Sequence, residues 1–215
     1  MSINKATNTE ISAQLAEAQD SHTDAQTLES LAMDRDVVVR TAVAEHPNTS
    51  PDTLHMLGQD RSVTVRCAVA GNEQAYAEHT LLKMSRDESP YVRLNVASNK
   101  TSPPSALKKM SVDKDPRVRA SLASNENCTP KILELLSKDV NVYTREMVAK
   151  NPNTPADVVD NMAYDKNSYI RLCAVTNPNL TMGTLIKLTT SHVGDIAFAA
   201  REELRRRTEI QNKTL

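Results

Sequence analysis

Residues 145–165 read REMVAKNPNTPADVVDNMAYD. This stretch decides the fold because it recurs. Arg145 and Asp165 belong to a frame of Asp, five residues and Arg. The frame appears as Asp34/Arg40, Asp60/Arg66, Asp87/Arg93, Asp113/Arg119, Asp139/Arg145 and Asp165/Arg171. Successive arginines are 26, 27, 26, 26 and 26 residues apart. A fixed period of this length marks a repeat architecture, in which no unit can bury its apolar face alone.

Other positions keep the same register. The residue before each arginine is Val39, Val65, Val92, Val118, Thr144 or Ile170. Three and four residues after it stand Val43/Ala44, Val69/Ala70, Val96/Ala97, Leu122/Ala123, Val148/Ala149 and Ala174/Val175. These offsets put one apolar stripe on a short helix A. Two residues past each Asp sits Asp36, Ser62, Ser89, Asp115, Asn141 or Asn167, and all of these are good N-caps. Pro90 and Pro116 follow at the first helical position, where a missing N–H costs nothing. The helix is predicted to end on His46, Asn72, Asn99, Asn125, Asn151 or Asn177, with Asn a residue type suited to a left-handed C-terminal position. Helix B restarts at Ser50-Pro51, Thr129-Pro130 and Thr154-Pro155. Its apolar pairs are Leu54/Leu57, Leu81/Met84, Leu107/Met110, Leu133/Leu136, Val159/Met162 and Leu185/Leu188.

The expected fold is therefore all-α: an α-solenoid of about seven two-helix repeats with a 26-residue period, stacked as one domain. Residues 1–20 are expected to cap the N-terminal end, with Ile11–Ala18 as a degenerate helix A. The repeats span 21–190. Residues 191–215 form a closing helix and tail, in which Ser191 takes the Asp position and Ala197 the Arg position.

The pattern Arg-x-x-Val-Ala-x-Asn-Pro-x-Thr-Pro-x-x-x-Leu-x-x-Leu-Ala-x-Asp, best seen in 145–165, resembles the leucine-rich repeat variant, a short HEAT-like unit. The resemblance covers about residues 21–190. It implies an ARM/HEAT-like right-handed superhelix, with one of the two helices per unit adopting a 3₁₀ form. Some members of that family carry an N-terminal iron–sulfur cluster held by clustered cysteines. This chain has no cysteine before Cys67, so that cofactor is not carried over, and no cofactor or metal is expected.

Composition narrows the function. The chain has 215 residues, a formal net charge of −1, five Tyr, one Phe, no Trp and four Gly. Few glycines disfavour phosphate-cradling loops, and the charge balance argues against wholesale polyanion binding. Cys67, Cys128 and Cys173 are too few and too widely spaced for a disulfide framework or a zinc site. The opening MSINKATNTEISAQ does not read as a secretory signal, and no apolar run has the length of a membrane span. A cytoplasmic, monomeric protein is expected. Catalytic motifs are lacking: no Gly-x-Ser-x-Gly, Walker loop or His-x-x-x-His spacing occurs.

The ladder from Asp34 to Arg171 is expected to be structural, with each arginine neutralised by the aspartate of its own unit, or tied to the neighbouring unit as well, rather than a row of phosphate grips. Function then lies where repeats differ. On helix A the positions two before and one after the arginine are expected to face away from the core. They hold Tyr91, Leu94, Arg117, Tyr143, Glu146, Tyr169 and Leu172, a candidate partner-binding ridge. The alternative is a basic helix B groove of Lys83, Arg86, Lys108, Lys109, Lys131 and Lys138 for an acidic protein segment or nucleic acid. The leading expectation is a non-catalytic protein-binding scaffold. Nucleic-acid binding stands second, and glycosylase-like or lyase-like activity, by analogy with HEAT-like enzymes, stands last.

Overall fold

Helices of seven to nine residues are too short to persist alone, so each must form against a neighbour. The computed structural model describes residues 6–75 and 77–214, and the only secondary structure among them is helical. The chain divides into two compact units, Met1–Met110 and Ser111–Leu215. A solenoid has no global core, since each repeat packs only on its neighbours, so contiguous blocks of repeats are its natural units.

The first unit contains α1 (Ala6–Gln19), α2 (Ala25–Leu31), α3 (Val37–Glu45), α4 (Pro51–Leu57), α5 (Val63–Gly71), a π-helical turn (Ala77–Leu81) leading into α6 (Leu82–Met84), α7 (Pro90–Ser98) and α8 (Pro104–Met110). The second contains α9 (Pro116–Ser124), α10 (Pro130–Leu136), α11 (Val142–Lys150), α12 (Ala156–Met162), α13 (Ser168–Thr176), α14 (Met182–Leu188) and α15 (Gly194–Thr214). A and B helices alternate, giving seven pairs and a closing helix among the described residues. Of the predicted N-terminal cap, residues 1–5 lie outside the described residues.

The caps act as predicted at four A helices. Asp36, Asp115, Asn141 and Asn167 accept N–H bonds from their own first turns, whereas the Ser62 and Ser89 side chains make no cap bond. Within each unit neighbouring A helices stack directly, α3 on α5 on α7 and α9 on α11 on α13. Their −1, +3 and +4 positions are buried, as are both apolar residues of every helix B pair. Thr144 takes a valine position, and its hydroxyl donates to the Pro116 carbonyl at 3.4 Å. A further recurring bond closes helix A. The Thr49, Ser102 and Thr154 hydroxyls reach back to the Val43, Val96 and Val148 carbonyls at 2.5, 2.5 and 2.6 Å.

Two expectations are corrected. The 3₁₀ helix implied by the resemblance is not adopted among the described residues. The B helices carry i→i−4 bonds, such as Gly58 N–H to Leu54 O at 2.8 Å. The terminal Asn residues are not left-handed: Asn72, Asn99, Asn125, Asn151 and Asn177 all have extended backbones, with φ between −77° and −68°.

The single 27-residue interval also has a structural account. The extra residue falls between Asn72 and Leu81, and the π-helical turn Ala77–Leu81 lies there. A π turn accommodates one more residue than an α turn. Leu81 and Met84 therefore remain buried in the helix B register.

Candidate functional site

The most regular polar geometry is the arginine ladder. Arg119 Nη1 donates to the Asp113 carbonyl at 2.6 Å, anchoring the guanidinium on its own turn. Its Nε and Nη2 then grip both oxygens of Asp139, at 2.6 and 2.9 Å. Arg145 repeats this on Asp165 at 2.8 and 3.2 Å, Arg40 on Asp60 at 2.7 and 3.1 Å, and Arg66 on Asp87 at 2.7 and 3.0 Å. The carboxylate therefore comes from the following repeat, not from the arginine's own. The aspartate of the same repeat is turned away, since Asp113 Oδ1 accepts the Asp115 N–H at 2.9 Å.

Arg93 shows the same correction to the expected pairing within a unit. It is buried at 5% exposure, and it meets Asp87 at the backbone carbonyl, where Nη1 donates at 2.8 Å and also reaches the Glu88 carbonyl at 3.1 Å. The Asp87 carboxylate that the sequence frame assigns to Arg93 is held instead by Arg66 and by the Ser89 N–H at 2.8 Å. The physical reason is reach. Six residues back along the chain, the Asp backbone carbonyl faces the guanidinium, while its side chain bonds the N–H two residues on and faces the preceding repeat.

Burial by itself pushes the Asp60, Asp139 and Asp165 carboxyls up. The clasping arginines and the N–H two residues on outweigh it and hold all three below the usual carboxylate range.

The asparagine ladder also joins repeats. Asn72 Nδ2 donates to Ala44 O and His46 O at 2.9 and 3.2 Å, and Asn99 does the same to Ala70 O and Asn72 O at 2.9 and 3.1 Å. In the second unit Asn151 reaches Ala123 O and Asn125 O, and Asn177 reaches Ala149 O and Asn151 O. His46 substitutes in the first unit, bonding Asp20 O through Nε2 at 2.8 Å. At the far end Glu203 stands in the asparagine register. It holds Arg207 at 2.7 Å, and Arg207 donates to Asn177 O and Leu180 O at 2.7 and 2.6 Å. That arginine completes the last rung. Its neighbour Arg206, with Arg207, lowers the Glu203 carboxyl below its usual range.

The variable ridge divides in two. Tyr91, Tyr143 and Tyr169, two before the arginine, are 58, 54 and 50% exposed. Tyr143 and Tyr169 sit in the same register on the stacked helices α11 and α13. The +1 residues Leu94, Glu146 and Leu172 are only half-exposed, and Ala120 is buried. Neighbouring A helices cover that row, so the expectation that it faces away from the packing is corrected. Arg117 is exposed but folded onto Asp115 at 2.7 Å. Lys150 joins α11 to α13. It pairs with Glu146 at 2.6 Å, donates to the Tyr169 hydroxyl at 3.2 Å and lies 5.2 Å from the centre of that ring.

The helix B cations are not all alike in their surroundings. Lys83, Arg86, Lys108 and Lys109 belong to the first unit. Lys131 and Lys138 belong to the second, where they share the B face with Glu134, Asp157 and Asp160, and Lys138 approaches Glu134 at 3.7 Å. A cleft of about 210 Å³ there is lined by Glu134, Lys138, Asp157 and Asn161 among others. The B face of the second unit is therefore mixed in sign, not basic.

Cys128 and Cys173 are buried and Cys67 is half-exposed, all three as free thiols. Burial pushes the Cys128 thiol up to about 12, far from thiolate chemistry at neutral pH. No cluster of three or more His, Cys, Asp or Glu suited to a metal occurs among the described residues. No helix among them is long and apolar enough to cross a membrane.

One surface was not singled out by sequence reasoning. The residues flanking the ladder aspartates in the second unit, Val112, Val140 and Tyr164, are 75, 88 and 60% exposed. Apolar residues at turn positions were the available signal.

Residues 12–73 match the family described as Leucine Rich Repeat Variant domain. The chain is similar to a solved structure titled "A leucine-rich repeat variant with a novel repetitive protein structural motif". Identity is 23% over 93% of this chain and 83% of that one, with a TM-score of 0.65. A designed armadillo repeat protein, YIII(Dq)4CqI, matches at 16% identity over 94% and 95% of the two chains, with a TM-score of 0.32. A search of curated proteins finds no match.

Proposed function

We propose that this α-helical repeat protein of the leucine-rich-repeat-variant kind is a non-catalytic scaffold that binds a partner protein through the ridge of its A helices. The observation that carries this reading is the pair Tyr143 and Tyr169, exposed rings in the same position of successive repeats. Invariant positions are consumed by rungs between repeats, so specificity is left to positions that vary. Rigid, amphipathic tyrosines on such a ridge supply contact area at low entropy cost. Three free thiols fit a reducing compartment, and we infer a cytoplasmic monomer.

The test is affinity capture from native lysate, with and without nuclease, comparing wild type with the Tyr143→Ala/Tyr169→Ala variant. A nuclease-resistant protein retained by wild type and lost by the variant is expected. Equal capture by both removes the ridge from the interface.

A second reading rests on the cations Lys83, Arg86, Lys108 and Lys109 of the first unit, which suit a nucleic-acid backbone. Captured nucleic acid that is released by salt and indifferent to the tyrosine changes would favour it.

A further inference from the structure

We propose that the turn edge of the second unit docks an acidic polypeptide segment, with the Arg171 guanidinium as its carboxylate anchor. The proposal shares with the preceding reading only that the partner is a protein. It uses none of the tyrosine-ridge residues, so either can fail without the other.

Three equivalent turns form this edge. Asp113, Asp139 and Asp165 each accept, through Oδ1, the N–H two residues on, at 2.9, 2.8 and 2.7 Å. The identical local geometry makes the flanking residues project alike. They are Val112 and Lys114, Lys138 and Val140, Tyr164 and Lys166. Every turn thus offers one apolar side chain and one lysine, in reversed order at the middle turn.

The acids at these turns do not neutralise the lysines. Asp139 and Asp165 are committed to Arg119 and Arg145, and Asp115 is paired with Arg117. Lys114 and Lys166 make no ion pair among the described residues, and Lys138 meets only Glu134 at 3.7 Å. Stacked helices lie about 8–10 Å apart. An extended chain advances about 3.3 Å per residue. A strand laid across the turns therefore meets a new one about every third residue, and an acid and an aliphatic residue in each triplet would match this edge.

The anchor follows from the end of the ladder. Arg171 Nη1 is fixed by the Asp165 and Lys166 carbonyls at 2.7 and 3.2 Å, the same seating as in the other repeats. In Arg119 and Arg145 the remaining Nε and Nη2 clasp both oxygens of the next aspartate. The next position in register is Ser191, whose hydroxyl only accepts the Val193 N–H at 3.2 Å. Among the described residues the Arg171 Nε and Nη2 meet no acceptor. The repeats display what this fork binds: a planar carboxylate, held bidentately. Exposed Val112 and Val140 among the cations favour a polypeptide over a phosphodiester backbone, which has nothing apolar to set against them.

The experiment uses the full chain and a fluorescein-labelled peptide of about four Asp-Leu-Gly triplets, a period set by the spacing above. Fluorescence anisotropy is read for wild type, Arg171→Ala, Ser191→Asp and Tyr143→Ala/Tyr169→Ala. Ser191→Asp supplies the missing carboxylate from within, so its melting point should equal or exceed that of wild type. Binding by wild type, weakened about tenfold or more in both Arg171→Ala and Ser191→Asp but kept in the tyrosine variant, is expected. No binding by wild type, or unchanged binding by Ser191→Asp, overturns the proposal. So does displacement by single-stranded oligothymidylate as effective as by unlabelled peptide, which would make the edge a phosphate surface. Loss of binding only in the tyrosine variant would place the peptide on the A-helix ridge and equally overturn it.

Discussion

Arg119 donates its Nε to Asp139 Oδ2 at 2.6 Å and its Nη2 to Oδ1 at 2.9 Å, and Asp139 opens the repeat after its own. The pair is nearly buried, and its guanidinium is also fastened to its own turn through the Asp113 carbonyl. Each such arginine clamps two adjacent repeats, so the ladder acts on the interface between successive repeats as well as on its own turn.

Removing one side of that clamp should be costly because it leaves a carboxylate in a site from which water is largely excluded. Arg119→Ala is expected to lower stability by about 3 kcal/mol. Arg171→Ala leaves no acid behind and should cost about 1 kcal/mol. Urea denaturation of the two variants checks this. Equal losses would mean that the arginines act within their own repeat.

Acid should open the ladder. The Asp60, Asp139 and Asp165 carboxyls are depressed in the fold, so around pH 4 the unfolded chain binds more protons than the folded one. Stability from these pairs is fully present above the ordinary carboxylate value of about 4 and is lost as pH falls through the depressed values. Calorimetry should show a melting temperature that drops below about pH 4, with a shallower drop in Asp139→Asn. An unchanged acid limb in that variant would assign the loss to other groups.

Asn151 is buried and donates to two carbonyls of the preceding repeat, whereas Asn153 is exposed and donates to one, Glu126 O. Asn151→Ala should cost about 2–3 kcal/mol, because two buried acceptors lose their donor. Asn153→Ala should stay within about 0.5 kcal/mol of wild type, as surface changes do. Chemical denaturation gives both numbers, and a reversed order would remove the Asn151 bonds from the account of repeat stacking.

The π turn makes a prediction about length. Deleting Glu78 should restore a 26-residue interval and let Ala77–Leu81 close as ordinary α-helix. Its melting temperature should stay within about 4 °C of wild type. Deleting Glu134 from α10 rotates Leu135 and Leu136 by about 100° relative to Leu133, taking Leu136 off the buried face. That variant should lose a cooperative transition in circular dichroism. Similar behaviour of the two deletions would show that the π turn is not an inserted residue.

The period of the arginines, the caps and the paired leucines were legible in the sequence because they are local. A helix start, a helix stop and an apolar stripe each depend on residues a few positions apart. On that basis the sequence alone determined an all-α repeat of A and B helices and the burial of Leu54/Leu57 through Leu185/Leu188. It also determined that the tyrosines two before the arginine are exposed. Only the tertiary structure decided partners. A one-dimensional repeat presents Arg40, Arg66, Arg119 and Arg145 with an aspartate six residues before and another about twenty after, and spacing does not choose between them. Stacking chooses: it brings the following turn alongside the guanidinium, while a near aspartate such as Asp60 or Asp139 accepts the N–H two residues on and the guanidinium of the preceding repeat. Arg93 shows the near side of that choice, since it takes the carbonyl of Asp87 and leaves the carboxylate to Arg66. The same stacking covers Leu94, Glu146 and Leu172, which an isolated helical wheel places outside, and leaves Val112, Val140 and Tyr164 uncovered at the turns. Which side of a helix is outer depends on the neighbour packed against it, and that neighbour is a full repeat away in sequence.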